Sequence, residues 1–320
     1  MPLRRTVPSI RTEDQVSRTV IVSAVRTAIG TFGGALANTS ATDLGGLACA
    51  EALSRAGVDP GAVDEVILGN VLAAGLGLNP ARVAALNSGV PREVPSFGVN
   101  KACGSGLKAV HLAAQSIACG DAEVVVAGGM ENMTMTPYML PKARFGYRLQ
   151  NGAVVDSMIN DGLTCPITKV HMGITAENVA EKYGVSRLDQ DEFAAQTQRK
   201  TAAAQAENRF ANEIVEVEVP QRKGDPVVFA HDEFPRADST AESLAKLRAA
   251  FKPDGLVTAG NASGINDGAA AVVVMSKEKA AELGLELMAT IKAGASAGVD
   301  PAMMGTGPIP ATRKCLDKAG

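Results

Sequence analysis

The sequence predicts an α/β fold built from stacked layers, and three observations carry that prediction. Apolar runs of strand length alternate with helical stretches between Thr19 and Ala127, as βαβ units do. The run Val124–Ala127 holds three consecutive valines and closes on Gly128 and Gly129, which marks a strand buried on both faces. Aromatic residues make up only 3% of the chain, with no tryptophan and 33 glycines, a composition suited to closely packed layers.

The elements follow in order. Thr19–Ala24 reads as the first strand. A helix should run from an N-cap at Asp43 to Arg55, where Gly57 and Pro60 stop it. Glu65–Leu68 is the next strand, Pro80–Ser88 a helix, and Ser96–Val99 a short buried strand that leads into Cys103. The helix after Cys103 sets Leu107, Val110, His111, Ala114, Ile117 and Ala118 on one face and ends at Gly120. From about Met135 the pattern changes. Residues 135–260 carry charged helices and irregular loops and read as an insertion. Within it, Ser186 and Asp189 form a capping box for a helix to about Asn208, and Glu213–Val219 alternates like a half-exposed strand. The α/β pattern resumes at Asp267–Met275, whose three alanines and three valines are similar to Val124–Val126. A helix containing Thr312–Lys318 precedes Gly320, so a second α/β unit is expected to be unfinished. Residues 1–17 are polar; Arg4, Arg5 and Arg11 are offset by Glu13 and Asp14, and the expectation is a disordered extension.

Composition narrows the function. A chain of 320 residues supports a large core and two domains, and 46% hydrophobic residues make it globular. A net charge of −3 gives no reason to expect nucleic acid or an acidic membrane as partner, and no apolar stretch is long enough to span a bilayer. The cysteines are Cys49, Cys103, Cys119, Cys165 and Cys315. Their odd number, the absence of a CxxC pair and the lack of a secretory signal point to a reduced, cytoplasmic setting.

Cys103 is the leading candidate for chemistry. It lies in Asn-Lys-Ala-Cys-Gly-Ser-Gly-Leu, at the first turn of the predicted helix. A thiol there meets free N–H groups and the positive end of the helix dipole, both of which favour the thiolate. The flanking glycines let a substrate approach the backbone. The competing role is that of a small buried filler, the usual fate of a lone cysteine. A nucleophilic cysteine normally needs a base. His111 is eight residues on, roughly 12 Å along a helix axis, and on the apolar face. His231 stands in a charged loop. His171, beside Met172, suits a ligand-contact role and a structural one equally well. No histidine stands out as the base.

Two other patterns are weaker. Gly104-x-Gly106-x-x-Ala109 fits a dinucleotide fingerprint with Glu131 as the acidic partner, but such a site gives Cys103 no role. No Walker A sequence and no metal-ligand spacing occurs. Gly128–Thr134 and Gly260–Ala269 are rich in Gly, Asn, Asp and Ser; taken singly, each is ordinary turn chemistry.

Together these segments resemble the thiolase family. The resemblance runs from about Thr19 to Gly320, through Val20–Thr27, Asn100–Leu107, Gly128–Thr134, His171–Asn178, Gly260–Ala269 and Met304–Ala311, in order. It is nearest to the short-chain acetyl-CoA acetyltransferases. It implies a layered αβαβα fold with an inserted loop domain and an incomplete second half. In residues, 18–134 and 266–287 would form the N-terminal domain, 135–265 the CoA-binding loop domain, and 288–320 the start of a truncated C-terminal domain.

The resemblance also implies the chemistry. Cys103 would attack an acyl-CoA thioester and hold the acyl group, and its N–H would serve an oxyanion hole. A second acetyl-CoA would then give acetoacetyl-CoA and CoA, or the reverse. His171, Met172 and Ser263 would line the pantetheine channel, Arg236, Ser243 and Phe251 the nucleotide end, and Leu163, Ala259 and Met304 an apolar wall. CoA thioesters are substrates here, so no cofactor and no metal is implied, and the assembly is expected to be a homodimer or homotetramer.

The sequence also departs from the family pattern. The Asn-Glu-Ala-Phe, Gly-His-Pro and Cys-x-Gly-Gly-Gly segments do not occur, and Cys315 has no glycines after it. The 320 residues are therefore expected to bring the nucleophile and much of the CoA site without the base or second cysteine, and to condense poorly. Two alternatives stand beside this: a longer-chain 3-ketoacyl-CoA thiolase, and a silent acyl-CoA-binding or assembly chain completed by a partner.

Overall fold

The computed structural model describes residues 19–320, so the extension expected at 1–17 lies outside the described residues. The chain enters on β1 (Thr19–Thr27), turns through β2 (Gly30–Thr31) and forms α1 (Ala41–Ala56). Ser40, not Asp43, caps α1: its hydroxyl accepts the Asp43 N–H. Asp43 stands in the first turn, where its charge complements the helix dipole. Gly57 ends the helix in the left-handed conformation. Then come β3 (Glu65–Gly69), α2 (Pro80–Asn87, capped by Asn79), β4 (Ser96–Val99), α3 (Ser105–Cys119) and β5 (Val124–Asn132).

Residues 133–265 carry smaller elements. β6 (Tyr138–Met139) and β7 (Val155–Asp156) pair as a short arm. Next are α4 (Met172–Tyr183) and α5 (Arg187–Ala206), the latter with the expected Ser186–Asp189 capping box. β8 (Ile214–Val215), β9 (Val217–Val219), β10 (Val227–Phe229) and α6 (Ala241–Leu244) complete the segment. The chain returns on β11 (Asn266–Ser276), then α7 (Lys277–Glu282), β12 (Ala289–Thr290) and α8 (Pro308–Ala319).

The main sheet has the order β12-β1-β11-β5-β3-β4, with β2 paired to β11 and β8 to β1. β3 runs parallel to β4 and β5, while β11 is antiparallel to both β1 and β5. Asp267–Met275, expected to resume an α/β pattern, is thus a central strand of this same sheet. Its apolar residues on both faces require cover on both sides. Ala271, Val273 and Met275 join Val66, Leu68, Val124 and Val126 under α1 and α2, whereas Val274 joins Ile67, Val125 and Ala127 under α3. Helices therefore cover both faces of one sheet.

Two local expectations change. β4 is half exposed because it is an edge strand paired only with β3. In α3, Ala109, Ala113, Ala114 and Ile117 are buried, while Leu107 is 78% exposed. Glycines in the sheet bring α3 close: a Cβ on Gly69 would lie 2.5 Å from the Gly106 nitrogen. Only small residues fit along that line, so alanines take it and the leucine turns outward.

Candidate active site

Cys103 stands where parallel strand β4 hands over to α3, at the end of the sheet. The helix begins at Ser105, with Gly104 as N-cap, so Cys103 lies just before the first turn and not within it. Its thiol is exposed. Its backbone N–H has no acceptor among the described residues. The thiol and the free N–H thus belong to one exposed residue, at the positive end of a helix with one face buried on the sheet.

The turn is set by Ala102, whose φ of 48° is left-handed. A non-glycine residue there costs about 1–2 kcal/mol. Both its peptide groups are held. The Ala102 N–H donates to Asn100 Oδ1 at 3.0 Å, and its carbonyl accepts from the Ser105 hydroxyl at 2.5 Å. Ser105 Oγ in turn accepts the Lys101 N–H at 2.8 Å. Sequence reasoning missed this bracket, because an alanine at positive φ leaves no compositional signal.

Behind the turn lies Glu131, on β5. Its carboxylate accepts from the Val71 N–H at 2.9 Å, the Leu72 N–H at 3.1 Å and Asn70 Nδ2 at 2.8 Å. Burial nonetheless raises its pKa above the usual glutamate range, the three donors opposing that shift. Glu131 is thus a strut beneath the β3 loop. The two glycine- and asparagine-rich segments, unremarkable singly, are joined: Gly268 pairs with Glu131, and Asp267 accepts the Thr134 N–H and hydroxyl at 3.1 and 2.6 Å.

A second cluster gathers around the start of α4. His171 is the N-cap: its Nδ1 accepts the Gly173 N–H at 3.0 Å. Its ring stacks on Phe251 at 4.8 Å between centroids. Leu163 ends a π-helical turn, and the neighbouring Thr164 bridges to His171. Phe251 and Ala259 are brought near each other by the Ala249–Thr258 bridge and the Ala250 N–H to Val257 carbonyl bond. Glu177, buried on α4 and also missed, accepts the Leu256 and Val257 N–H groups at 2.9 and 2.8 Å and holds that loop in place. The turn Pro301–Thr306, carrying Met304, packs along α4, with Asn178 Nδ2 donating to the Ala302 carbonyl at 3.0 Å. Met172 is the first residue of α4. His171, Met172 and Phe251 therefore meet at the start of one helix, with the turn of Met304 along it and Leu163 and Ala259 in the adjoining loops.

The other candidates lie towards α5. Ser243 closes a capping box with Thr240 on α6, which Arg187 ties to α5 through the Leu244 carbonyl at 2.7 Å. The Arg236 N–H donates to Gln198 Oε1 at 2.8 Å, and its guanidinium has no partner among the described residues. Ser263 is exposed in the loop before β11. Asn261 in that loop donates to Asp191 on α5 at 2.9 Å. His231 is exposed, and His111 is half-buried on α3. No described helix is long and apolar enough to cross a membrane.

A covered mixed sheet with a cysteine presented at a strand-to-helix turn, beside an inserted helical segment, defines a thiolase-type protein. The chain belongs to the thiolase family: the model for the thiolase N-terminal domain matches residues 19–278. Among curated relatives, the acetyl-CoA acetyltransferase of Allochromatium vinosum is 60% identical over 301 residues, covering 94% of this chain and 76% of the relative. The acetyl-CoA acetyltransferase of Escherichia coli K12 is 59% identical over 302 residues, with the same coverage. The crystal structure of the Bacillus anthracis acetyl-CoA acetyltransferase superposes with a TM-score of 0.92 at 47% identity, covering 95% of this chain and 76% of that one.

Proposed function

We propose that the protein is an acetyl-CoA C-acetyltransferase that joins two acetyl-CoA molecules into acetoacetyl-CoA and CoA, or runs the reverse thiolysis, through an acyl-cysteine at Cys103. The observation that carries this reading is the presentation of Cys103, exposed thiol and free N–H together, in a chain about 60% identical to an enzyme of that name. In the first half-reaction the Cys103 sulfur bonds to the thioester carbonyl carbon. The carbon–sulfur bond to CoA breaks, and CoA leaves as a thiol with the proton that Cys103 gives up. The carbonyl oxygen gains negative charge as the sulfur adds, and the Cys103 N–H is the donor for it. In the second half, the methyl group of another acetyl-CoA gives up a proton and its carbon bonds to the acyl carbon; the bond from that carbon to the Cys103 sulfur breaks, and Cys103 takes up one proton to return as a thiol.

The CoA arm is assigned to the cluster around α4. Leu163, Met172, Ala259 and Met304 supply apolar wall, and His171 and Ser263 polar contacts. Phe251, Ser243 and Arg236 continue towards the nucleotide. A guanidinium without an internal partner suits a phosphate. CoA thioesters enter as substrates, with no further cofactor. The five cysteines stand free, which supports a reducing cytoplasm as the setting. A homodimer or homotetramer is supported by apolar residues bared on the arm between β6 and β7, where Phe145 is 85% and Leu149 88% exposed. Sedimentation velocity checks that: a monomer at micromolar concentration would refute it.

The chemistry is tested by brief exposure of the protein to acetyl-CoA, followed by peptide mass spectrometry. The expected result is one acetyl group on Cys103 and none in Cys103→Ser. Acetylation elsewhere, or none anywhere, would overturn the assignment.

A further inference from the structure

We infer that Asn100 and Ser105 are positioning residues for Cys103, together holding Ala102 in the left-handed conformation that turns the thiol and the N–H outward. The inference rests on Cys103 being the nucleophile and adds how its geometry is kept. Ala102 has a φ of 48°, which an alanine leaves unless it is held. Asn100 Oδ1 takes the Ala102 N–H, and Ser105 takes the Ala102 carbonyl twice, through its hydroxyl and through its own N–H at 3.0 Å. The two residues differ in setting. Ser105 is buried at the first turn of α3, whereas Asn100 is exposed at the end of β4.

The grip is anchored in the sheet. Asn100 Nδ2 donates to the Val71 carbonyl at 3.4 Å, and the Val71 N–H donates to Glu131 at 2.9 Å. A continuous line of hydrogen bonds therefore runs from the half-buried Glu131 carboxylate on β5, through the β3 loop and Asn100, to the residue before Cys103. On the other side, Lys101 spans the turn: its N–H reaches Ser105 and its ammonium reaches the Ser296 hydroxyl. The device needs no base and moves no proton. It keeps one backbone conformer populated, so that an arriving thioester meets sulfur and donor already placed.

The test measures acetylation of Cys103 against acetyl-CoA concentration in the wild type, Asn100→Ala, Ser105→Ala and Ser105→Ala with Ala102→Gly. The first two substitutions should each slow the saturating rate about tenfold and leave the half-saturating concentration unchanged. Glycine accepts left-handed φ without strain, so Ala102→Gly should recover most of the rate lost in Ser105→Ala. Should Ser105→Ala fail to fold, Asn100→Ala with and without Ala102→Gly carries the same test from an exposed residue, with the same recovery expected. Wild-type rates in folded Asn100→Ala and Ser105→Ala, or no recovery on adding glycine, would overturn the inference. If the wild type takes up no acetyl group, the proposed function fails instead. Iodoacetamide alkylation of Cys103 then decides the inference in the same four proteins, with the same order of rates expected.

Discussion

Ala102 spends conformational energy to aim its neighbour, and the neighbour's reactivity should show it. Cys103 is exposed, whereas Cys49 is fully buried and its thiol is pushed up to about 12. In a timed iodoacetamide reaction read by peptide mass, Cys103 should be labelled first and Cys49 should stay unlabelled while the fold persists. Equal rates at all five cysteines would remove the reason to single out Cys103. Glu177 makes a second test. Glu177→Ala strands the half-buried Leu256 N–H and the buried Val257 N–H, at a cost of about 2–3 kcal/mol of stability. Because that loop leads to Ala259, the acetyl-CoA concentration that half-saturates acetylation of Cys103 should rise more than the saturating rate falls; an unchanged half-saturating concentration would detach the loop from the proposed CoA site. At this scale the sequence speaks unevenly. Cys103 stood out by its glycines and its place before a helix. Glu177 did not, since a buried carboxylate on a charged helix looks like any solvated one.

Element by element, the helix behind Cys103 is held tightly against the sheet. Gly69, Gly106 and Gly129 let α3 lie close on β3 and β5. Gly69→Ala places a Cβ 2.5 Å from the Gly106 nitrogen, so the helix must shift. The expected loss is about 1–3 kcal/mol in urea denaturation, with slower acetylation of Cys103. Wild-type values on both counts would mean the helix has room to spare. On the outer side of α3, His111 packs against Gly294, where an added Cβ would lie 2.5 Å from the ring. Burial first, and then Lys108, Lys318 and Lys101, pull its pKa down. The unfolded chain then binds that proton more tightly. Stability from neutral His111 is therefore complete above about pH 6.5 and is lost as pH falls below it. Between pH 8 and 5 the Tm of the wild type should drop further than that of His111→Gln; a constant gap between the two would contradict this. The helix itself was legible from its period, but its buried face was not. Counting apolar residues favoured Leu107, whereas the glycines of distant strands gave the inner line to alanines.

For the whole molecule, the inserted segment is fastened to the sheet at Arg26. Its guanidinium donates to Glu213 at 2.7 Å and to both oxygens of Asp232 at 2.7 and 3.1 Å, and it lies over the Phe210 ring. Arg26→Met leaves two carboxylates facing each other without their cation and should cost about 3 kcal/mol in denaturant unfolding. A loss below 0.5 kcal/mol, the scatter typical of surface changes, would show the junction to be ornamental. The layered α/β class was readable from β1, β3 and β5, whose apolar runs are local. The residues proposed to hold CoA, scattered between Leu163 and Met304, were readable only through family resemblance, because no local spacing joins them. The order of the sheet was hidden for the same reason: Val272–Met275 shows that it is a strand but not beside which strands it lies.

That order has a consequence for synthesis. β11 fills the gap between β1 and β5, yet it is made only after residues 133–265. A nascent chain that has reached Asn132 therefore carries two bare, valine-lined strand edges with nothing to zip them together. The protein cannot close its core from the N-terminus forward and must wait for a distant strand, which makes folding slow and the waiting chain adhesive. Ribosome-bound chains stalled before Asn266 should stay protease-sensitive throughout Thr19–Asn132, and chains stalled well beyond Ser276 should become resistant there in one step.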